Sequence, residues 1–361
     1  MAVREFAKPG DLPRASQPFR ILRRRVFRPQ GFDSKSRDCL FTDPNSSQRD
    51  LFLRTHSYKT LLSLIAFGSI FLTFACYTRS GSTPNPAASS REITDDAGNR
   101  ITLPVEVDRV VSLAPNLTEI IFAVGAGDRL VGRTSFCDYP PEAKKIQEIG
   151  DTLHPNTERI VGLRPQVVLV STASQLEAFS KQLEGHHIAI FVTDPHDLEG
   201  VFKSIERIGA IVNKDNQAKQ LIEQLRKRTE AVEQAVASRP RVRIFYQLYA
   251  EPLYTAGHDA FVTDVMRRAG GDSVTADVPG AWPKYSAESA LAARPEAIVL
   301  PTGGASGDAN SIVAPALQKS PAALSGRVYR INDDHLSRPG PRSVDGLEEL
   351  ARALHPEAFK K

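Results

Sequence analysis

Apolar and polar positions alternate in two distinct rhythms along this chain. From about residue 91 the stretch EITDDAGNRITL places apolar residues at every second position on either side of Ala97-Gly98-Asn99, which predicts a hairpin. RVVSL (109–113) reads as a short buried strand, stopped by Pro115 and Asn116. Leu117, Ile120, Ile121 and Val124 then recur at helical spacing up to Gly125, and Asn116 with Glu119 three residues on has the form of a capping box. The alternation goes on: a strand at 167–171 (VVLVS), a helix at 173–184, a strand at 188–193 (IAIFVT), and a helix marked by Leu198, Val201, Phe202, Ile205 and Ile208.

Residues 215–238 break the rhythm. They form one stretch without Gly or Pro, and Ala218, Leu221, Ile222, Leu225, Val232 and Val236 make a single apolar stripe. This predicts a helix of about six turns, closed off by Pro240. Strands then return at 242–247, 297–300 and 328–331, with helices near 259–269 and 341–354. Strands alternating with helices imply an α/β fold with mostly parallel sheets flanked by helices.

One segment occurs twice. ERIVGLRPQVVLV (158–170) and ESALAARPEAIVL (288–300) share Glu158 with Glu288 and Arg164-Pro165 with Arg294-Pro295, each followed by an apolar strand. Two residues before each glutamate stands an N-cap residue, Asn156 or Ser286. Each copy therefore reads as a capped helix, an Arg-Pro break and a buried strand. The copies flank the long helix, which implies two related lobes joined by one helical backbone. The boundaries are 91–213 for the first lobe, 214–239 for the backbone helix and 240–361 for the second lobe.

Length, 361 residues, supports two lobes, and 41% hydrophobic with 24% charged residues fits a globular chain. The net charge of +4 is uneven: residues 1–57 hold twelve Lys/Arg and six Asp/Glu, so the rest is slightly acidic. That balance gives no electrostatic case for nucleic-acid binding. Residues 1–57 read as disordered or leader sequence. Residues 58–76 contain LLSLIAFGSIFLTFA (61–75), shorter than a typical membrane span and closer to a signal-peptide core. The run ends at Cys76 in the manner of a lipoprotein cleavage site, with Thr73 where leucine is usual and a bulky Phe74; an uncleaved membrane anchor is the alternative. Either way the remainder is exported and tethered, and 77–90 has linker composition. Cys39, Cys76 and Cys137 form no CxxC pair or metal-type cluster, so no metal site is expected.

The segments RVVSLAPNLTEIIFAVGAGDRLVG (109–132), SFCDYPPEAKKIQEIGD (135–151), PLYTAGHDAFVTDVMRRAGG (252–271), GAWPKYSAESALAARPEAIVL (280–300) and RPGPRSVDGLEELARALHP (338–356) resemble, in order, the helical-backbone substrate-binding proteins of ABC importers for ferric siderophores, haem and vitamin B12. CDYPPEA and AWPKYSAE are most similar to the vitamin B12-binding members. The resemblance implies a non-enzymatic monomer, without a cofactor of its own, that captures a corrinoid between its lobes and hands it to a membrane permease with its ATPase. It implies ligand contacts from Phe136, Asp138 and Tyr139 on the first lobe and Tyr254, Trp282, Asp334, His335 and Arg338 on the second. It also implies that Glu158 and Glu288 dock onto the permease. Aromatic rings suit a broad, partly apolar macrocycle. Where the vitamin B12-binding members carry two further cleft tryptophans, this chain has Thr152 and Ser171. A ferric siderophore held by Arg338 and Arg342, or a haem ligated by Tyr139, Tyr254 or His335, is the alternative cargo. An enzyme is disfavoured by the lack of GxSxG, P-loop, HExxH and post-strand GxGxxG motifs.

Overall fold

The computed structural model describes residues 90–360 apart from 153, 172–182, 184 and 304–311. The leader, the 58–76 segment with Cys76, the linker apart from Ser90, the predicted 173–184 helix apart from Leu183 and most of the Gly303–Gly307 loop lie outside the described residues. Among those described, no helix is long and apolar enough to cross a membrane.

The chain opens with the predicted hairpin, β1 (Ser90–Thr94) and β2 (Arg100–Pro104), paired antiparallel. A four-stranded parallel sheet follows, in the order β4 (Leu130–Arg133), β3 (Val110–Ser112), β5 (Val167–Ser171), β6 (Ala189–Thr193). Its helices are α1 (Pro115–Ala123), α2 (Thr157–Gly162) and α3 (Leu198–Ile211). The 22-residue helix α4 (Asp215–Val236) leads to the second half. There a second four-stranded parallel sheet has the order β10 (Gly271–Ser273), β7 (Val242–Tyr246), β11 (Ala297–Thr302), β12 (Val328–Asn332). The short pair β8 (Tyr249–Ala250) and β9 (Leu253–Tyr254) sits between β7 and α5 (Phe261–Arg268). α6 (Ala287–Ala292), α7 (Pro321–Leu324), α8 (Asp333–Leu336) and α9 (Ser343–Leu354) complete it. In each sheet the first strand of the unit lies second in order, so the two halves share one topology.

The duplication extends to atoms. Asn156 accepts from the Arg159 N–H and Ser286 from the Ser289 N–H, as N-caps should. Arg164 and Arg294 both take left-handed φ, 48° and 49°, turning the chain from helix into strand. Gln166 receives the Arg109 N–H, and Glu296 receives the Arg243 N–H. The guanidiniums of those arginines donate to the Leu163 and Ala293 carbonyls that close α2 and α6.

Alternate residues of the buried strands face different cores. Val110, Val167 and Leu169, with Ile244, Tyr246, Ala297 and Val299, join one apolar core that also takes in Ala218, Leu225, Val232 and Val236 of α4. Val111, Val168 and Val170 face a second cluster, and Phe245, Ile298 and Leu300 a third. Both faces of each sheet are thus covered, which explains the continuous apolar runs. α3 ends in a Schellman turn: the Lys214 and Asn213 N–H groups donate to the Gly209 and Ala210 carbonyls, with Asn213 at φ 51°.

One sequence expectation is corrected. Asn116 and Glu119 form no capping box. Pro115 takes the first turn, so Ala114 is the N-cap, without a side-chain bond. Asn116 instead donates to the Pro339 carbonyl (3.2 Å), and Glu119 meets arginines of the second half.

Candidate binding cleft between the two halves

Ligands of parallel α/β sheets collect beyond the carboxyl ends of the strands. In the first half that edge carries α1 after β3 and the 134–140 loop after β4. In the second it carries the loops after β7, β10 and β12. These loops hold Phe136, Tyr139, Tyr249 and Trp282, exposed by 47, 44, 44 and 39%. They are all the large aromatics that are exposed among the described residues.

Trp282 lies against Tyr246, with ring centroids 5.9 Å apart. Tyr246 is buried and shares a 2.8 Å hydrogen bond between its hydroxyl and Ser337 Oγ. Burial pushes its phenol far above the ordinary range, and Asp333 adds to the effect, so it stays neutral. Tyr254 is half-buried and meets Tyr249 edge-on at 6.3 Å, the two being direct cross-strand partners. Cys137, between Phe136 and Asp138, is buried with its Sγ 3.2 Å from Thr134 Oγ1, facing inward.

Asp138, Asp334 and Arg338 belong to one charge cluster that joins the halves. Arg338 Nη2 is 2.7 Å from Asp334 Oδ1, and its Nη1 is 3.4 Å from Asp138 Oδ1 and 3.7 Å from Glu119 Oε1. Arg342 makes a fork to Glu119 at 2.9 and 2.6 Å, and its guanidinium lies 4.0 Å over the Tyr139 ring. Burial works against the Arg342 charge, but the Glu119 hydrogen bonds together with the charges of Glu119 and Asp334 raise its pKa on balance. His335 turns elsewhere: its Nδ1 is 3.9 Å from Glu349 on α9. Beside the cluster a cavity of about 370 Å³ runs between α1, α4 and the start of α9, walled by Glu119, Phe122, Leu221, Leu225 and Arg342.

Glu158 and Glu288 are exposed, each in the first turn of its short helix. Ser286 Oγ donates to Glu288 at 2.7 Å and holds that carboxyl below its ordinary range, with a backbone bond assisting. Among the described residues no group of His, Cys, Asp or Glu converges in a way that could hold a metal ion. Sequence reasoning missed Tyr249, Tyr246, Ser337 and the inter-half role of Glu119. The first three carry no local signal, and Glu119 carried a misleading one.

Two like α/β halves on one connecting helix, with exposed aromatics on the strand-end loops of both, have the architecture of a two-lobed solute binder. The chain belongs to the periplasmic binding protein family, whose profile matches residues 110–335. It is 31% identical over 281 residues to the ABC transporter substrate-binding lipoprotein YvrC of Bacillus subtilis, covering 74% of this chain and 86% of that one. Among solved structures it is similar to the periplasmic vitamin B12-binding protein of Vibrio cholerae at 27% identity and TM-score 0.62, covering 72% of this chain and 100% of that one. It is also similar to a periplasmic haem-binding protein of Roseiflexus at 25% identity and TM-score 0.61, covering 70% and 99%. It is therefore a binding component of the ABC-importer type, which works with a membrane permease and its ATPase.

Proposed function

We propose that the cargo is a corrinoid, held in the gap between the halves. The observation that carries this reading is the placement of the exposed large aromatics. Phe136 and Tyr139 are exposed on a strand-end loop of the first half and Tyr249 and Trp282 on strand-end loops of the second, and aromatic faces on both halves suit a wide macrocycle. Asp138, Tyr254, Asp334 and Arg338 supply polar edges, and His335 lies nearby on α8. The vitamin B12-binding relative from Vibrio cholerae supports the same choice. Glu158 and Glu288 are the docking carboxylates for the permease, one on each half in the first turn of a capped helix. Cys76 is the lipidated anchor, in keeping with a relative that is a lipoprotein.

The test is a titration with cyanocobalamin, followed by Trp282 fluorescence and by calorimetry. Saturable one-to-one binding, weakened at least about tenfold by Trp282→Ala, is expected. No saturable binding of cyanocobalamin would overturn the corrinoid reading and leave the transport class standing.

A further inference from the structure

Glu119 is a buried carboxylate between the halves that neither packing nor capping explains. Its side chain is 2% exposed, and both its oxygens are held by Arg342, at 2.9 and 2.6 Å. It also lies 3.7 Å from Arg338. Arg338 is further committed to Asp138 and Asp334, at 3.4 and 2.7 Å. Arg342 has its π face covered by Tyr139 at 4.0 Å. Three carboxylates thus surround two guanidiniums, and the cluster carries one net negative charge.

Arginine recognises a ligand carboxylate through a two-pronged fork of N–H donors. Here both forks already point at protein carboxylates. A ligand carboxylate at Arg342 would have to displace Glu119, leaving a buried anion without its partner. A chelate fringed by neutral amides meets no such penalty.

We propose that Glu119 is a specificity-determining residue: it masks Arg338 and Arg342, so that the gap discriminates against carboxylate-bearing chelates. This rests on the gap being the ligand cleft, as argued above. Glu119→Gln keeps the size and one acceptor oxygen but removes the charge, and it should free the arginines for an anionic ligand.

The experiment measures affinities of the wild-type protein and E119Q for three probes: cyanocobalamin, haemin with its two propionates, and ferric citrate. E119Q should bind haemin and ferric citrate roughly tenfold more tightly, the equivalent of one well-placed ion pair. Its affinity for cyanocobalamin should change by less than about threefold. The gain should shrink as salt is raised. Unchanged or weaker binding of both anionic probes by a folded E119Q overturns the proposal. If E119Q does not fold, Glu119→Asp, which draws the carboxylate back from Arg342 by one methylene, should still give a gain of about threefold for the anionic probes; no gain there overturns the proposal. A wild type that ignores cyanocobalamin while E119Q gains the anionic probes would sink the corrinoid reading and uphold the mask. A wild type that binds cyanocobalamin while E119Q gains nothing would do the reverse.

Discussion

The seam between α3 and α4 fixes how the backbone helix sits on the first half, and one pair of small residues controls it. A Cβ added at Gly209 would lie 2.4 Å from the Cβ of Ala218, which is buried on α4. Carbon atoms in ordinary contact sit about 3.5–4.0 Å apart, so Gly209→Ala must part the helices by roughly 1 Å or more. Overpacking of this kind costs about 1–3 kcal/mol. The gain in helix propensity returns about 1 kcal/mol, so the single variant should lose up to about 2 kcal/mol. Ala218→Gly loses about 1 kcal/mol of propensity and about 0.8 kcal/mol for the buried methyl. In the double variant the methyl changes helix, the clash vanishes and the propensity terms cancel. Its net loss should be about 1 kcal/mol or less, giving a favourable coupling of about 1–3 kcal/mol. Urea denaturation of the four proteins reads this from their midpoints at a common slope. Additivity to within about 0.5 kcal/mol would refute the claim that direct contact at this seam sets the helix spacing.

Three other outcomes are expected. Replacing Glu158 and Glu288 together by alanine should leave cyanocobalamin affinity and melting temperature unchanged while transporter-coupled uptake falls at least about tenfold, because both side chains are exposed; full uptake would remove their docking role. Asp264 accepts from the Leu198 N–H and pairs with Arg268, and these bonds with that from Arg267 overcome its burial to hold its pKa below the ordinary 3.8. A lowered folded value means its stabilisation is present above that ordinary value and is lost as pH falls through the folded one, so the acid limb of a stability–pH curve should flatten in Asp264→Asn; an identical acid slope would contradict this. Asn213, at φ 51° with its Nδ2 2.9 Å from the Val105 carbonyl, should lose about 1–2 kcal/mol as alanine and less as glycine, measured by thermal melting.

The fold was legible because its grammar is local. Arg164-Pro165 and Arg294-Pro295 mark left-handed turns into buried strands, and the caps Asn156 and Ser286 stand where their side chains accept. The stripe from Ala218 to Val236 faces the shared core. The loop positions of Phe136, Tyr139 and Trp282 agree with the expectation drawn from resemblance, whereas Tyr249 was missed, since a loop tyrosine has no periodicity to betray it. Glu119 was misread for a physical reason. Asn116 and Glu119 have the spacing of a capping pair, but Pro115 begins the helix earlier and carries both residues into its first turns. The partner that decides the role of Glu119 is Arg342, 223 residues away, and no local pattern encodes it.

The two halves keep their likeness at one end of the sheets and lose it at the other. Around the strand starts, Arg109 and Arg243 repeat the same bonds to Gln166 and Glu296 and to the carbonyls of Leu163 and Ala293. At the strand ends the first connections differ. After β3 the chain goes straight into α1 with Glu119, whereas after β7 it makes the β8–β9 pair carrying Tyr249 and Tyr254. The Glu119–Arg342 bridge has no twin on the opposite diagonal among the described residues. A duplicated scaffold needs symmetry only where it holds itself together. A ligand without two-fold symmetry needs two unlike walls, and the strand-end loops are among the places where the halves diverge. Glu158 and Glu288 belong to the part that kept its likeness, each exposed in the first turn of a capped helix.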